Sequence, residues 1–117
     1  MPALFRSRCF SLAWACVLAL VGTCVQAADD APTLTLRNHR FSPQELRVPA
    51  GQKIRLTVIN EDATPAEFES KPLNREKLIP AKSRVVVPLG PLKPGRYPFV
   101  EEFHEKESGA QGILIAE

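Results

Sequence analysis

Cysteine, methionine and tryptophan are scarce in this chain, and their positions decide what chemistry is open to it. All three cysteines (Cys9, Cys16, Cys24), the single Trp14 and the single Met1 fall at the amino-terminal end. That end reads as an export signal. Arg6 and Arg8 give a positive start, Cys9 to Val21 is almost uninterruptedly apolar, and Val25-Gln26-Ala27 precedes a cut ahead of Ala28. The apolar run is shorter than the roughly 20 residues that span a bilayer, which argues against a retained helix. Thr23 fits poorly before a lipid-carrying Cys24. The expected division is therefore a cleaved signal over residues 1–27 and a single domain over residues 28–117. That domain has no disulfide, no thiolate ligand and no thioether ligand.

An excess of one charge is missing as well. The chain has 15 basic and 13 acidic residues; without Arg6 and Arg8 the basic count falls to 13 and the balance is even. Nothing in that balance supports a nucleic-acid surface or an acidic-membrane surface. Internal repeats, low-complexity linkers and a long amphipathic helical pattern are absent too; Pro72 to Lys77 reads at most as a helical turn.

Short stretches of period two, punctuated by proline and glycine, are what the sequence does contain. Leu34 and Leu36 alternate with Thr33, Thr35 and Arg37. Leu46 and Val48 lead into the turn Pro49-Ala50-Gly51. Ile54, Leu56 and Val58 alternate with Lys53, Arg55 and Thr57. Val85 to Val87 form a β-branched run, Pro94-Gly95 introduces Tyr97 to Phe103, and Gly112 introduces Ile113 to Ala116. Such spacing predicts an all-β sandwich or barrel with a modest core.

Two blocks carry a family resemblance. Phe41-Ser42-Pro43, Leu46 to Gly51 and the strand ending in Asn60 resemble the opening half of a cupredoxin. Leu92-Lys93-Pro94-Gly95-Arg96-Tyr97-Pro98-Phe99 and the run onward to Gly112 resemble its closing half. The likeness covers Leu34 to Ala116 and implies a small Greek-key β-sandwich. It also implies that Glu101 stands where blue-copper relatives keep a cysteine, that the methionine position near Gly109 reads Ala110, and that His104 matches the ligand histidine. The histidine expected in the loop after Asn60 is missing. Glu67-Phe68-Glu69-Ser70, followed by Leu73, Glu76 and Lys77, is similar to the cupredoxin-like components of bacterial iron-uptake systems. These include the cupredoxin domain of EfeO-type proteins and the small cupredoxins encoded with ferrous-iron permeases. The resemblance implies a periplasmic location, iron or copper as the bound ion, and an inner-membrane iron permease or other uptake component as partner.

Strand geometry limits where ligands can point. Tyr97, Phe99, Glu101 and Phe103 share one face of a regular strand, and three aromatics make that the core face. Glu101 then points inward, where a carboxylate is costly unless a metal, Arg or Lys neutralises it. Glu67 and Glu69 share the face opposite Phe68, placed to clamp one ion or, on an edge strand, to be solvated charge that blocks pairing. Glu102 and His104 alternate with Glu101, so a turn must begin near Glu102 or Phe103 for Glu101 and His104 to converge. Glu105 and Glu107 follow in the same loop. His39, beside the Phe41 turn, is the other imidazole.

The expected metal ligands are Glu67, Glu69, Glu101, Glu102, His104 and Glu105, with His39 behind them. The competing reading for the glutamates is wet surface or internal ion pairs. Carboxylates with imidazoles suit Fe(II), Fe(III) and Cu(II); a type 1 blue copper site lacks its thiolate. A zinc hydrolase finds no matching motif. The functional expectation is a metal-binding component of ferrous-iron uptake. Two alternatives stand beside it: a copper-assisted Fe(II) oxidase component, and a metal-free module that binds proteins, which would follow if the acids were paired with Arg75, Arg84 or Lys106.

Overall fold

The structure is a computed structural model and describes residues 31–117. The predicted export signal over residues 1–27 lies outside the described residues. The strands are β1 (Thr33–Arg37), β2 (Arg40–Ser42), β3 (Glu45–Val48), β4 (Ile54–Asn60), β5 (Ala66–Ser70), β6 (Arg75–Ile79), β7 (Arg84–Leu89), β8 (Gly95–Glu101) and β9 (Gln111–Ala116). One sheet runs β2-β1-β4-β7 and the other β3-β9-β8-β5-β6. The chain changes sheets between β2 and β3. β1 lies parallel to β4 and β3 lies parallel to β9, whereas the other pairs are antiparallel. The expected all-β sandwich is what forms. Among the described residues the helical structure consists of one 3₁₀ turn, Glu102–His104.

Period two explains the layers. Leu34 and Leu36 of β1 and Ile54, Leu56 and Val58 of β4 are buried, while Arg37 and Arg55 stay exposed. From the opposite sheet, Phe68, Ile79, Phe99 and Leu114 meet them. Three phenylalanines fill one end of this core. Phe41 stands edge-on to Phe99 at 4.9 Å, and Phe68 lies 5.3 Å from Phe99. Such aromatic pairs add about 0.5–1.5 kcal/mol each beyond the area they bury. Gly112 makes this packing possible, because a Cβ there would come within 2.4 Å of a Phe99 ring carbon and 2.9 Å from the Gln44 carbonyl oxygen.

Three local expectations are corrected. Pro72 to Lys77 does not form a helical turn: residues 71–74 make the turn of the β5–β6 hairpin, with Asn74 at φ 52°, and β6 starts at Arg75. Asn tolerates that left-handed conformation, which ends the preceding strand and starts the next. β5 is not an edge strand, since β6 and β8 flank it. The strand through Tyr97 ends at Glu101, so Phe103 leaves the core face and is 51% exposed.

Candidate metal centre

β8 delivers Glu101 into the interior, as the alternation with Phe99 requires, and its side chain is fully buried. Such a carboxylate is tolerable only when its lone pairs are occupied. Its Oε1 accepts from the backbone N–H of Glu67 at 3.0 Å and of Phe103 at 3.1 Å. Its Oε2 lies 2.5 Å from Nδ1 of His104. The second of those N–H groups belongs to the 3₁₀ turn, which Glu101 caps. The turn starts at Glu102, as convergence demanded, and folds His104 back over Glu101. Among the described residues Glu101 thus has neither an Arg nor a Lys partner; backbone N–H groups and an imidazole hold it.

The second imidazole comes from the other sheet. Asn38 and His39 form the two-residue turn between β1 and β2, with φ of 52° and 60°. Two-residue hairpins take such left-handed turns because their twist matches that of the strands. Asp62 fixes the turn: its two carboxylate oxygens accept the N–H of Asn38 at 2.7 Å and of His39 at 2.9 Å. Burial pushes the Asp62 carboxyl up, but those backbone N–H groups, His39 and Lys82 outweigh it, so Asp62 titrates below its ordinary value. A main-chain bond from Phe41 N–H to the Gly109 carbonyl, 3.0 Å, ties this hairpin to the loop after His104.

The result is a stacked imidazole pair. The rings of His39 and His104 lie 3.4 Å apart between centroids and 10° from parallel. Nδ1 of His39 faces Glu107 Oε2 at 2.9 Å, just as Nδ1 of His104 faces Glu101. A proton on each Nδ1, facing its carboxylate, leaves the lone pair of each ring on Nε2. His39, His104 and Glu107 each bring a ligand atom within 4.8 Å of the others.

A different group occupies the outer face of the five-stranded sheet. Glu67 and Glu69 of β5 point away from buried Phe68, Glu76 lies opposite Glu69 on β6, and Glu102 arrives from the 3₁₀ turn. Glu67, Glu76 and Glu102 bring carboxylate oxygens within 4.8 Å of one another. A proton shared with Glu76, partial burial and the neighbouring Glu102 push Glu67 up to about 7. Glu69 is raised too, by burial and by Glu102, with Lys71 pulling the other way. Glu102 Oε2 is buried and has no hydrogen-bond partner.

The predicted ligands therefore do not gather around one ion. His104 joins His39 and Glu107; Glu67 and Glu102 join Glu76, with Glu69 alongside; Glu101 is enclosed between the groups and hydrogen-bonded at both oxygens. Glu105 is exposed and belongs to neither group. Arg75 donates to the Pro88 carbonyl, and among the described residues Arg75, Arg84 and Lys106 form no ion pair with any of these acids. Sequence reasoning missed Glu76 as a donor and Asp62 as a support. Glu76 was legible only through hairpin register, and Asp62 only through a turn that needs positive φ.

Comparison with known proteins fits this architecture. The profile of the cupredoxin-like domain matches residues 9–116. The chain belongs to the cupredoxin-like domain family. An uncharacterized protein of Rickettsia prowazekii (strain Madrid E) is 42% identical over 82 residues, 70% of this chain; the chain spans 64% of that relative's length. Among solved structures, a purple cupredoxin from Nitrosopumilus maritimus matches with TM-score 0.58 at 18% identity, over 74% of this chain and 99% of that one. A reduced auracyanin from Roseiflexus castenholzii matches with TM-score 0.61 at 14% identity, over 73% and 94%. A Cu(I) form of an amicyanin variant matches with TM-score 0.58 at 19% identity, over 79% and 87%. Identities this low speak for a cupredoxin fold alone. A type 1 copper centre does not fit these residues: the described chain contains neither cysteine nor methionine, and both Glu101 oxygens are already engaged.

Proposed function

We propose that this cupredoxin-like protein binds iron or Cu(II) in the periplasm in the service of ferrous-iron uptake, through imidazole and carboxylate donors. The observation that carries the reading is the stacked pair of His39 and His104, with each Nδ1 held by its own carboxylate. Carboxylate-held histidines with Nε2 left as donor are a recurrent way of orienting metal ligands. His39 and His104, each through Nε2, would hold a borderline cation such as Cu(II), with Glu107 orienting the His39 ring, and Glu67, Glu76 and Glu102 offer the oxygen donors that harder ions prefer. The export signal and the likeness to iron-uptake components support a periplasmic carrier that delivers to an inner-membrane permease.

The separation of donors into two groups joined by one turn favours a second reading, an Fe(II) oxidase component. A redox-active metal among the imidazoles would supply a one-electron acceptor for Fe(II) presented by the acids. In either reading the chain's own work is to hold two rings in one tautomer and to gather negative charge beside them.

Calorimetric titration with Cu(II) and then anaerobic Fe(II), beside Glu101→Gln, tests the proposal. A glutamine at 101 turns an amide N–H toward His104 Nδ1, moving the ring proton to Nε2 and abolishing its lone pair there. The expected result is tight, non-blue binding by the wild type and weakened Cu(II) binding by the variant. Absence of binding for both ions would sink the reading and direct attention to protein partners.

A further inference from the structure

The two imidazoles are held by unequal means. His104 is anchored through its own side chain to Glu101, three residues back along the same strand and turn. His39 sits in a two-residue turn with both central residues at positive φ and neither a glycine. Asn and His visit that region more readily than most residues, yet two in succession remain unfavourable without outside support. The hydrogen bond of His39 to Glu107 does not supply that support, because it acts at the ring and not at the backbone N–H groups of the turn.

Asp62 supplies what is missing. Its carboxylate accepts both N–H groups of the turn, at 2.7 and 2.9 Å. Asp62 is itself fixed from the core. Asn60, only 1% exposed, accepts the Asp62 N–H at 3.0 Å, and the Asn60 amide donates to the carbonyls of Thr64 at 2.9 Å and Ile79 at 3.2 Å. The Asp62 carbonyl in turn accepts from Lys82 N–H at 3.0 Å. A chain of hydrogen bonds therefore leads from a buried asparagine at the end of β4 to the backbone of His39, and its ring then rests on His104.

We infer that Asp62 is a positioning residue for metal binding: it holds the Asn38–His39 turn in the conformation that lays the His39 ring against His104. The inference rests on the metal-binding reading above and adds a residue that touches no ion. Its removal frees the turn, and with it the distance between the two Nε2 atoms, while His104 and Glu101 keep their places.

The test uses the protein expressed from the full chain, with Cu(II) as probe in calorimetry and the histidine ring protons as probe in NMR. Asp62→Ala is expected to weaken Cu(II) binding roughly tenfold or more, in the range usual for lost supports of metal ligands. Asp62→Asn, whose side-chain oxygen still accepts from the turn, is expected to lose less, and it stands in should the alanine variant fail to fold. In a His39→Ala background, Asp62→Ala is expected to change Cu(II) affinity no further. Without metal, the ring-current displacement that stacked His39 imposes on the His104 protons is expected to vanish in Asp62→Ala, as in His39→Ala. Equal loss of affinity with and without His39, or an undisturbed ring-current displacement in Asp62→Ala, overturns the inference. Failure of the wild type to bind Cu(II) would overturn the function proposal instead, and the ring-current result would still decide whether Asp62 places His39.

Discussion

The two donor groups on either side of Glu101 are built on opposite plans. The imidazole group stands on turns and loops, and each Nδ1, together with the backbone N–H groups of the His39 turn, has a partner within the protein. The glutamate group stands on regular strands and is full of like charge: Glu67 is raised to about 7, Glu69 is raised as well, and Glu102 Oε2 is buried without a partner. The first is organised before any ion arrives, whereas the second is strained by its own charge and would be relieved by a cation. The buried Glu101, hydrogen-bonded at both oxygens, is the anchor between these two sets of donors.

Removing that anchor should have the largest effect. Glu101→Ala strands two backbone N–H groups and Nδ1 of His104 in or beside the core, and a loss of about 3–5 kcal/mol is expected on denaturant unfolding. A stability within 1 kcal/mol of wild type would mean that the two groups do not share an anchor.

Gly112→Ala comes next and separates fold from site. Its methyl would press into the buried Phe99 ring, so about 1–3 kcal/mol of overpacking cost is expected on denaturant unfolding. Cu(II) affinity measured below the unfolding transition should stay unchanged; a matching drop in affinity would show the core and the imidazole pair to be one unit.

The strained group should reveal itself through pH. Glu67 binds its proton with a value of about 7 in the folded chain, against an ordinary 4.5. Between those values the folded state holds more protons than the unfolded state, so stability falls as pH rises through this window and levels off above it. Melting temperatures from pH 4.5 to 8 should show this decline in the wild type and a flatter profile in Glu67→Gln. A decline of equal size in the variant would show that the glutamates are not coupled through Glu67.

Glu105→Gln should do least. The side chain is exposed and outside both groups, so stability within about 0.5 kcal/mol of wild type and unchanged Cu(II) affinity are expected from unfolding and calorimetry.

How much of this was legible in the sequence follows from the range of each interaction. Alternation placed Leu34, Leu36, Ile54, Leu56 and Val58 in the core and aimed Glu101 inward, because strand periodicity is local. The need for a turn at Glu102 followed from the same periodicity. β6 escaped because an edge strand with an exposed Glu76, Lys77 and Leu78 has no apolar alternation to read. Glu76 joins the acidic face only through its register with Glu69 across a turn containing a left-handed Asn74. His39 looked like a surface histidine because its value depends on Asp62, 23 residues away, and on His104 at the other end of the domain. Local pattern carries the scaffold; contacts between distant loops make the site.

Electron paramagnetic resonance of the Cu(II)-loaded protein, compared with its His39→Ala variant, decides whether the imidazole pair holds the ion. The expected spectrum is non-blue, with coupling to two imidazole nitrogens, reduced to one in the variant. An identical spectrum in both proteins would contradict it, because His39 would then take no part in holding the ion.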